Sequence, residues 1–116
     1  MNHRDKQILI KIVNEIIIAN DMIHDKLFNE FNVDEMLKRA ICMTLINIGE
    51  LVKNITDETR LANKQIPWKE IAGLQDVAAH KYQVLRMDDV YQTVIMDLPP
   101  LRDELDKIIN SENKNN

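Results

Sequence analysis

The 116-residue chain is 45% hydrophobic and 29% charged, has a formal net charge of −4, and contains two glycines, three prolines and one cysteine. This profile fits one globular domain over residues 1–116, with a core spanning about 5–109. It excludes a disordered polyelectrolyte, a disulfide scaffold, a four-cysteine zinc site and a protein that coats nucleic acid through bulk positive charge. With so few turn residues the pattern points to long helices and few connections rather than a sandwich or barrel.

Residues Asp5 to about Asn29 predict a long first helix, since Ile8, Ile12, Ile16, Ala19, Ile23 and Leu27 recur at three- and four-residue steps. Leu9, Val13 and Ile17 widen this stripe. Asn32-Val33-Asp34 reads as a break with an N-cap. A second helix, from Asp34 to about Ile55, puts Leu37, Ile41, Leu45, Ile48, Val52 and Ile55 on one face. Gly49 lies inside it and predicts close approach of a neighbouring helix. Residues 56–65 are polar and read as a loop with room for a short helical turn. Pro67 suits the first turn of a third helix that fades near Tyr82. Asp88 or Asp89 is expected to cap a fourth helix, in capping-box spacing with Gln92. Pro99-Pro100 should stop or kink that helix. Leu101, Leu105, Ile108 and Ile109 make a short last helix, and residues 111–116 a polar tail. No apolar run reaches the roughly 18 residues of a membrane span. Nor do Met1 to Lys6 lead into a secretory signal, so a cytoplasmic protein is expected.

Most familiar catalytic constellations are absent: there is no phosphate-binding glycine loop, no His-Glu-x-x-His and no nucleophile elbow. His3, His24 and His80 are far apart and show no metal-ligand spacing, so neither a metal nor a cofactor is expected. The paired acids Asp34-Glu35, Asp57-Glu58 and Asp88-Asp89 read as helix starts. The segment from Gly73 to Tyr82 is richer. It places an imidazole, a cation and a phenol where a helix ends. Asp76 and His80 are four apart and share a helical face, an arrangement in which a carboxylate can orient a histidine for proton transfer. Tyr82 points elsewhere in a regular helix. Trp68 should staple the third helix to the core, Cys42 should be buried and inert, and Met36, Met43 and Met96 should serve packing. Glu50 suits either a surface pair or a hydrogen bond near a cleft.

Arg39-Ala40-Ile41, Ile48-Gly49-Glu50, Ile66-Pro67-Trp68, Gly73-Leu74, His80, Tyr82 and Asp97-Leu98-Pro99 follow one another in an order and spacing that resembles the HepT-like branch of the HEPN superfamily. The resemblance runs from about Asp5 to Ile109. It implies an all-α, four- to five-helix up-and-down bundle that forms a homodimer. It also implies a toxin paired with a minimal nucleotidyltransferase (MNT) antitoxin, and in many members a metal-independent ribonuclease. RNA is then the nucleic-acid partner, and no DNA is expected. The family signature is an arginine, four residues, a histidine, one residue and a tyrosine. His80 and Tyr82 fall on it, and Asp76 takes the polar position after the arginine. Gln75 stands where the arginine would be, a neutral amide in place of a cation. In the family the arginine and histidine of both subunits line a cleft at the dimer interface. There the histidine moves a proton while the arginine stabilises charge on phosphorus. Lys81, Arg86 and Arg39 are candidate replacement cations, and Glu50 a supporting group. Two functions follow from the resemblance. One is a ribonuclease acting through His80 in spite of Gln75. The other is a degenerate HEPN module that binds a nucleotidyltransferase and accepts a nucleotidyl group on Tyr82.

Overall fold

The computed structural model describes residues 1–84 and 86–114, and its regular structure is helical, with no strand among the described residues. Helix α1 (His3–Ile23) starts at Asn2, whose side chain accepts from the Asp5 N–H at 2.6 Å. It ends earlier than its apolar period predicts. Asp25 adopts φ 60, a left-handed conformation that aspartate tolerates better than most residues, and the chain turns there. A short helix α2 (Phe28–Val33) follows that the periodicity does not announce. Phe31 is fully buried and Phe28, Phe31 and Tyr91 pack ring against ring at 5.6–6.4 Å. The Tyr91 hydroxyl donates to the Lys26 carbonyl at 2.6 Å. This aromatic cluster, closed by a residue far along the chain, overrides the local period.

Helix α3 (Glu35–Lys53) begins at Asp34 as predicted, with the carboxylate accepting from the Leu37 N–H at 3.0 Å. It packs on α1 with one side and on the later helices with the other. Gly49 lies at the second contact. A Cβ there would sit 2.8 Å from the Gln75 nitrogen and 3.1 Å from the Ala72 oxygen. The glycine is therefore the close approach that the sequence suggests. The polar stretch after α3 does contain a short helix, α4 (Asp57–Ala62), capped by Thr56.

The predicted third helix is two. Gly73 separates α5 (Trp68–Ala72) from α6 (Leu74–Gln83), and Pro67 is the residue before α5. Trp68 is buried as expected, its ring N–H donating to the Asn63 carbonyl at 3.0 Å. Helix α7 (Met87–Gln92) starts ahead of the predicted aspartate cap: Arg86 holds the cap position and both aspartates fall in the first turn. Pro99 and Pro100 do not stop the helix. A π-helical turn over Thr93–Asp97 precedes them, in which the Leu98 N–H bonds the Thr93 carbonyl, and α8 (Leu98–Lys114) runs on. Proline is tolerated in a first turn, where no helical N–H is needed, and the wider turn accommodates the change. The predicted polar tail is helical to Lys114, and residues 115–116 lie outside the described residues.

One hydrophobic cluster joins α1, α3 and α8, centred on Leu9, Ile12, Ile16, Ile41, Leu45, Ile48, Leu98 and Leu105. Cys42 is buried and its thiol is pushed up by that burial, in keeping with an inert residue. The methionines depart from expectation. Met36, Met43 and Met96 are 83%, 57% and 62% exposed, so they form surface rather than packing. Among the described residues no helix is long and apolar enough to cross a membrane.

Candidate functional site

Helix α6 presents three sides. Ala78 faces the core, Gln75 and Tyr82 lie against α3, and Asp76, His80 and Gln83 face outward. This follows from helical geometry, since residues three and seven apart share a side whereas residues five apart lie about 140° apart. α3 and α6 are antiparallel neighbours. The start of α3 meets the end of α6, and the end of α3 meets its start.

At the first meeting the Tyr82 hydroxyl donates to the Glu35 carboxylate. The Arg39 guanidinium lies 5.4 Å from the Tyr82 ring centre and pairs with Glu35 at 3.1 Å, and Lys38 adds a second cation at 3.3 Å from Glu35. The Tyr82 bond, then the Lys38 bond, hold the Glu35 carboxyl below its usual range. The same bond to Glu35, followed by partial burial, raises the phenol. At rest the carboxylate is therefore charged and the phenol neutral. A shallow cavity of about 340 Å³ opens beside them, bordered by Arg39, Met43, Ala79, Tyr82 and Gln83.

At the second meeting the Lys53 ammonium donates to the side-chain oxygen of Gln75, and Glu50 faces Lys53 at 3.7 Å. Glu50 thus joins the surface pair that the sequence allowed, and that pair sits at Gln75. The side chain of His80 is exposed and makes no hydrogen bond or ion pair among the described residues. Asp76 shares its face without bonding to it. The suggested cations Lys81 and Arg86 are engaged elsewhere: Lys81 lies 2.8 Å from Asp89, and Arg86 lies 3.4 and 3.7 Å from Asp88 and Asp89. Neither reaches Gln75.

Within one chain, Tyr82 with Arg39 and Gln75 with Glu50 are therefore brought to α3, while His80 and Asp76 stand apart on the open face. Sequence reasoning missed Glu35 and Lys53. Glu35 and Arg39 have ion-pair spacing, but nothing local ties either to residues on another helix. The larger cavity, about 440 Å³ between α5 and the π turn, contains none of these residues.

The comparisons with known proteins bear on this helix pair. The profile of the family described as Ribonuclease HepT-like matches residues 10–108, including all of α3 and α6. The chain belongs to the HepT-like ribonuclease family. A protein of Caldanaerobacter subterraneus subsp. tengcongensis named "Putative RNase" is 35% identical over 73% of this chain and 76% of its own length. A "Probable ribonuclease HepT" of Thermococcus cleftensis is 28% identical over 93% of this chain and 98% of its own. A "Gamma-glutamylcyclotransferase and putative RNase" of Methanocaldococcus jannaschii is 32% identical over 90% of this chain but only 48% of its own, so the likeness covers about half of that protein. No solved structure matches the chain. Membership agrees with the all-α bundle and with the resemblance carried by the order of motifs from Arg39 to Pro99.

Proposed function

We propose that this HepT-like chain is the toxin of a toxin–antitoxin pair, a homodimeric, metal-independent endoribonuclease acting through His80. The observation that carries the reading is the unpartnered, solvent-facing imidazole of His80 on α6, within a chain of this family. A neutral ring nitrogen there can take the proton of an RNA 2′-hydroxyl as its oxygen attacks the adjacent phosphorus. The phosphorus–5′-oxygen bond then breaks, and the proton returns to the leaving oxygen, leaving a cyclic phosphate. Such proton transfer contributes about 10²–10⁴-fold in rate. Val77 on α6 and Val84 at its C-cap, 46% and 47% exposed, flank His80 in the chain. They provide an apolar border against which a second copy can pack, bringing a second His80 close.

The test is cleavage of single-stranded RNA in EDTA by the purified chain and by His80→Ala. Cleavage by the native chain and a loss of about 10²–10⁴-fold in the variant are expected. Intact RNA with the native chain, or equal cleavage by both, overturns the reading.

A second reading is favoured by the Tyr82–Glu35 hydrogen bond. Under it the chain pairs with an MNT-type nucleotidyltransferase antitoxin and receives a nucleotidyl group on Tyr82. The phenol oxygen would bond to the α-phosphorus of a nucleoside triphosphate as the bond to pyrophosphate breaks, with Glu35 taking the phenol proton. Co-expression with such a transferase should add one nucleotidyl mass to the native chain, none to Tyr82→Phe and less to Glu35→Gln. No added mass on the native chain removes this reading.

A further inference from the structure

The contact between Lys53 and Gln75 is imposed by the backbone. Gly49 lets α3 press onto the first turn of α6, against the Gln75 nitrogen and the Ala72 oxygen. One turn later α3 delivers Lys53 to the Gln75 side chain. An ammonium only donates, so the amide oxygen must face it and the amide NH₂ must point away. That NH₂ bonds to nothing among the described residues. Lys53 retains further N–H groups, and its side chain is 45% exposed. Together the two side chains offer open donors and one positive charge, a combination that suits an oxyanion. The other cations around α6 are held by nearby acids: Lys81 by Asp89, Arg86 by Asp88 and Asp89, and Arg39 by Glu35. Glu50, 52% exposed and 3.7 Å from Lys53, is the carboxylate competing for this ammonium. An exposed pair of this kind is worth only about 0–1 kcal/mol, so an incoming anion can displace it.

The position of the pair decides which anion it meets. Gln75 precedes His80 by five residues, roughly 7.5 Å along the helix and about 140° around it. Lys53 and His80 of one chain therefore do not converge on a single phosphorus, whereas a polyanion can engage both. We infer that Lys53 and Gln75 form a subsite for a backbone phosphate of the RNA strand, flanking the phosphate that reacts at His80. The inference rests on the nuclease reading for its ligand, but its own evidence is the donor pair.

A flanking phosphate contributes the same binding in ground and transition states, so its loss should raise KM and leave kcat unchanged. The test measures binding of a labelled single-stranded RNA to the full chain in a His80→Ala background, between about 50 and 200 mM salt. Cleavage kinetics are run in the His80 background, and circular dichroism confirms that each variant is folded. Lys53→Ala should weaken binding about tenfold and lower the slope of log affinity against log salt by about 0.7–1. It should raise KM with kcat nearly constant. Lys53→Arg should restore binding, and Glu50→Gln should tighten it. Unchanged affinity and slope in Lys53→Ala, alongside His80-dependent cleavage by the native chain, overturn the subsite and leave the nuclease standing. A fall in kcat at constant KM also overturns it, because Lys53 would then serve the reacting phosphate. Lys53-dependent binding with no cleavage by the native chain supports a strand-phosphate contact at Lys53 and Gln75, and removes the nuclease together with the reacting phosphate it would flank. Absence of any RNA binding overturns both.

Discussion

Asp5 shows what a single side chain contributes here. It is fully buried in the first turn of α1, and it accepts from the Thr56 hydroxyl at 2.6 Å, the Thr59 hydroxyl at 2.6 Å and the Thr56 N–H at 3.3 Å. Burial alone would raise its carboxyl, but the bonds from Thr56 and Thr59 outweigh that and hold it below the usual 3.8. A depressed carboxylate adds stability above its unfolded pKa and loses it as pH falls through the folded one. Asp5→Ala should cost about 3 kcal/mol at neutral pH in urea denaturation. The gap from the native chain should stay constant down to about pH 5 and narrow below about pH 4, as the depressed carboxylate takes up its proton. A gap that does not narrow at low pH would mean the carboxylate charge adds nothing to the stability of this corner. Tyr82 gives a second residue-scale prediction, since its raised phenol depends first on Glu35. In a Tyr91→Phe background, Glu35→Gln should lower the alkaline absorbance midpoint of Tyr82 towards the ordinary value near 10. Neither partnership was legible in the sequence, because Asp5 meets residues more than fifty positions away and Tyr82 meets one forty-seven away.

At the scale of elements, periodicity located α1 and α3 because their cores recur at 3.6-residue spacing, and Asp34 marked the start of α3 through its own side chain. The misses share one physical cause. Asp25, Gly73 and the π turn redirect or widen the chain where distant residues pack, and a local period carries no information about those residues. Gly49 is the exception: a mid-helix glycine is costly enough to signal a contact in advance. Gly49→Ala gains about 1 kcal/mol of helix propensity, yet its Cβ would meet backbone at 2.8 and 3.1 Å. Overpacking of this kind costs about 1–3 kcal/mol, and here both obstacles are main-chain atoms that cannot rotate away. A lowered Tm is therefore expected, together with weaker RNA binding as Lys53 and Gln75 separate. A raised Tm with unchanged binding would show that α3 and α6 can part without consequence.

For the whole molecule, exposed apolar residues are scattered, with Ile18, Leu61 and Met96 away from the helix pair, but several lie on the outward sides of α3 and α6. Met43 borders the groove between those helices, and Val77 and Val84 flank His80. The proposed homodimer would cover this face, so Val77→Asp with Val84→Asp should be monomeric by sedimentation and inactive on RNA while retaining its helical signal. A native chain that sediments as a monomer at micromolar concentration would contradict the dimer. The sequence by itself determined the helical class, the long helices and the family, because these depend on composition, short-range period and motif order. It also placed His80 and Tyr82 on a helix end, pointing to different sides. Only the tertiary structure decided that Tyr82 rests on Glu35 and that Lys53 reaches Gln75. Each of these depends on how α3 crosses α6, and that crossing is set by close packing at Gly49 and by contacts between residues far apart in the chain.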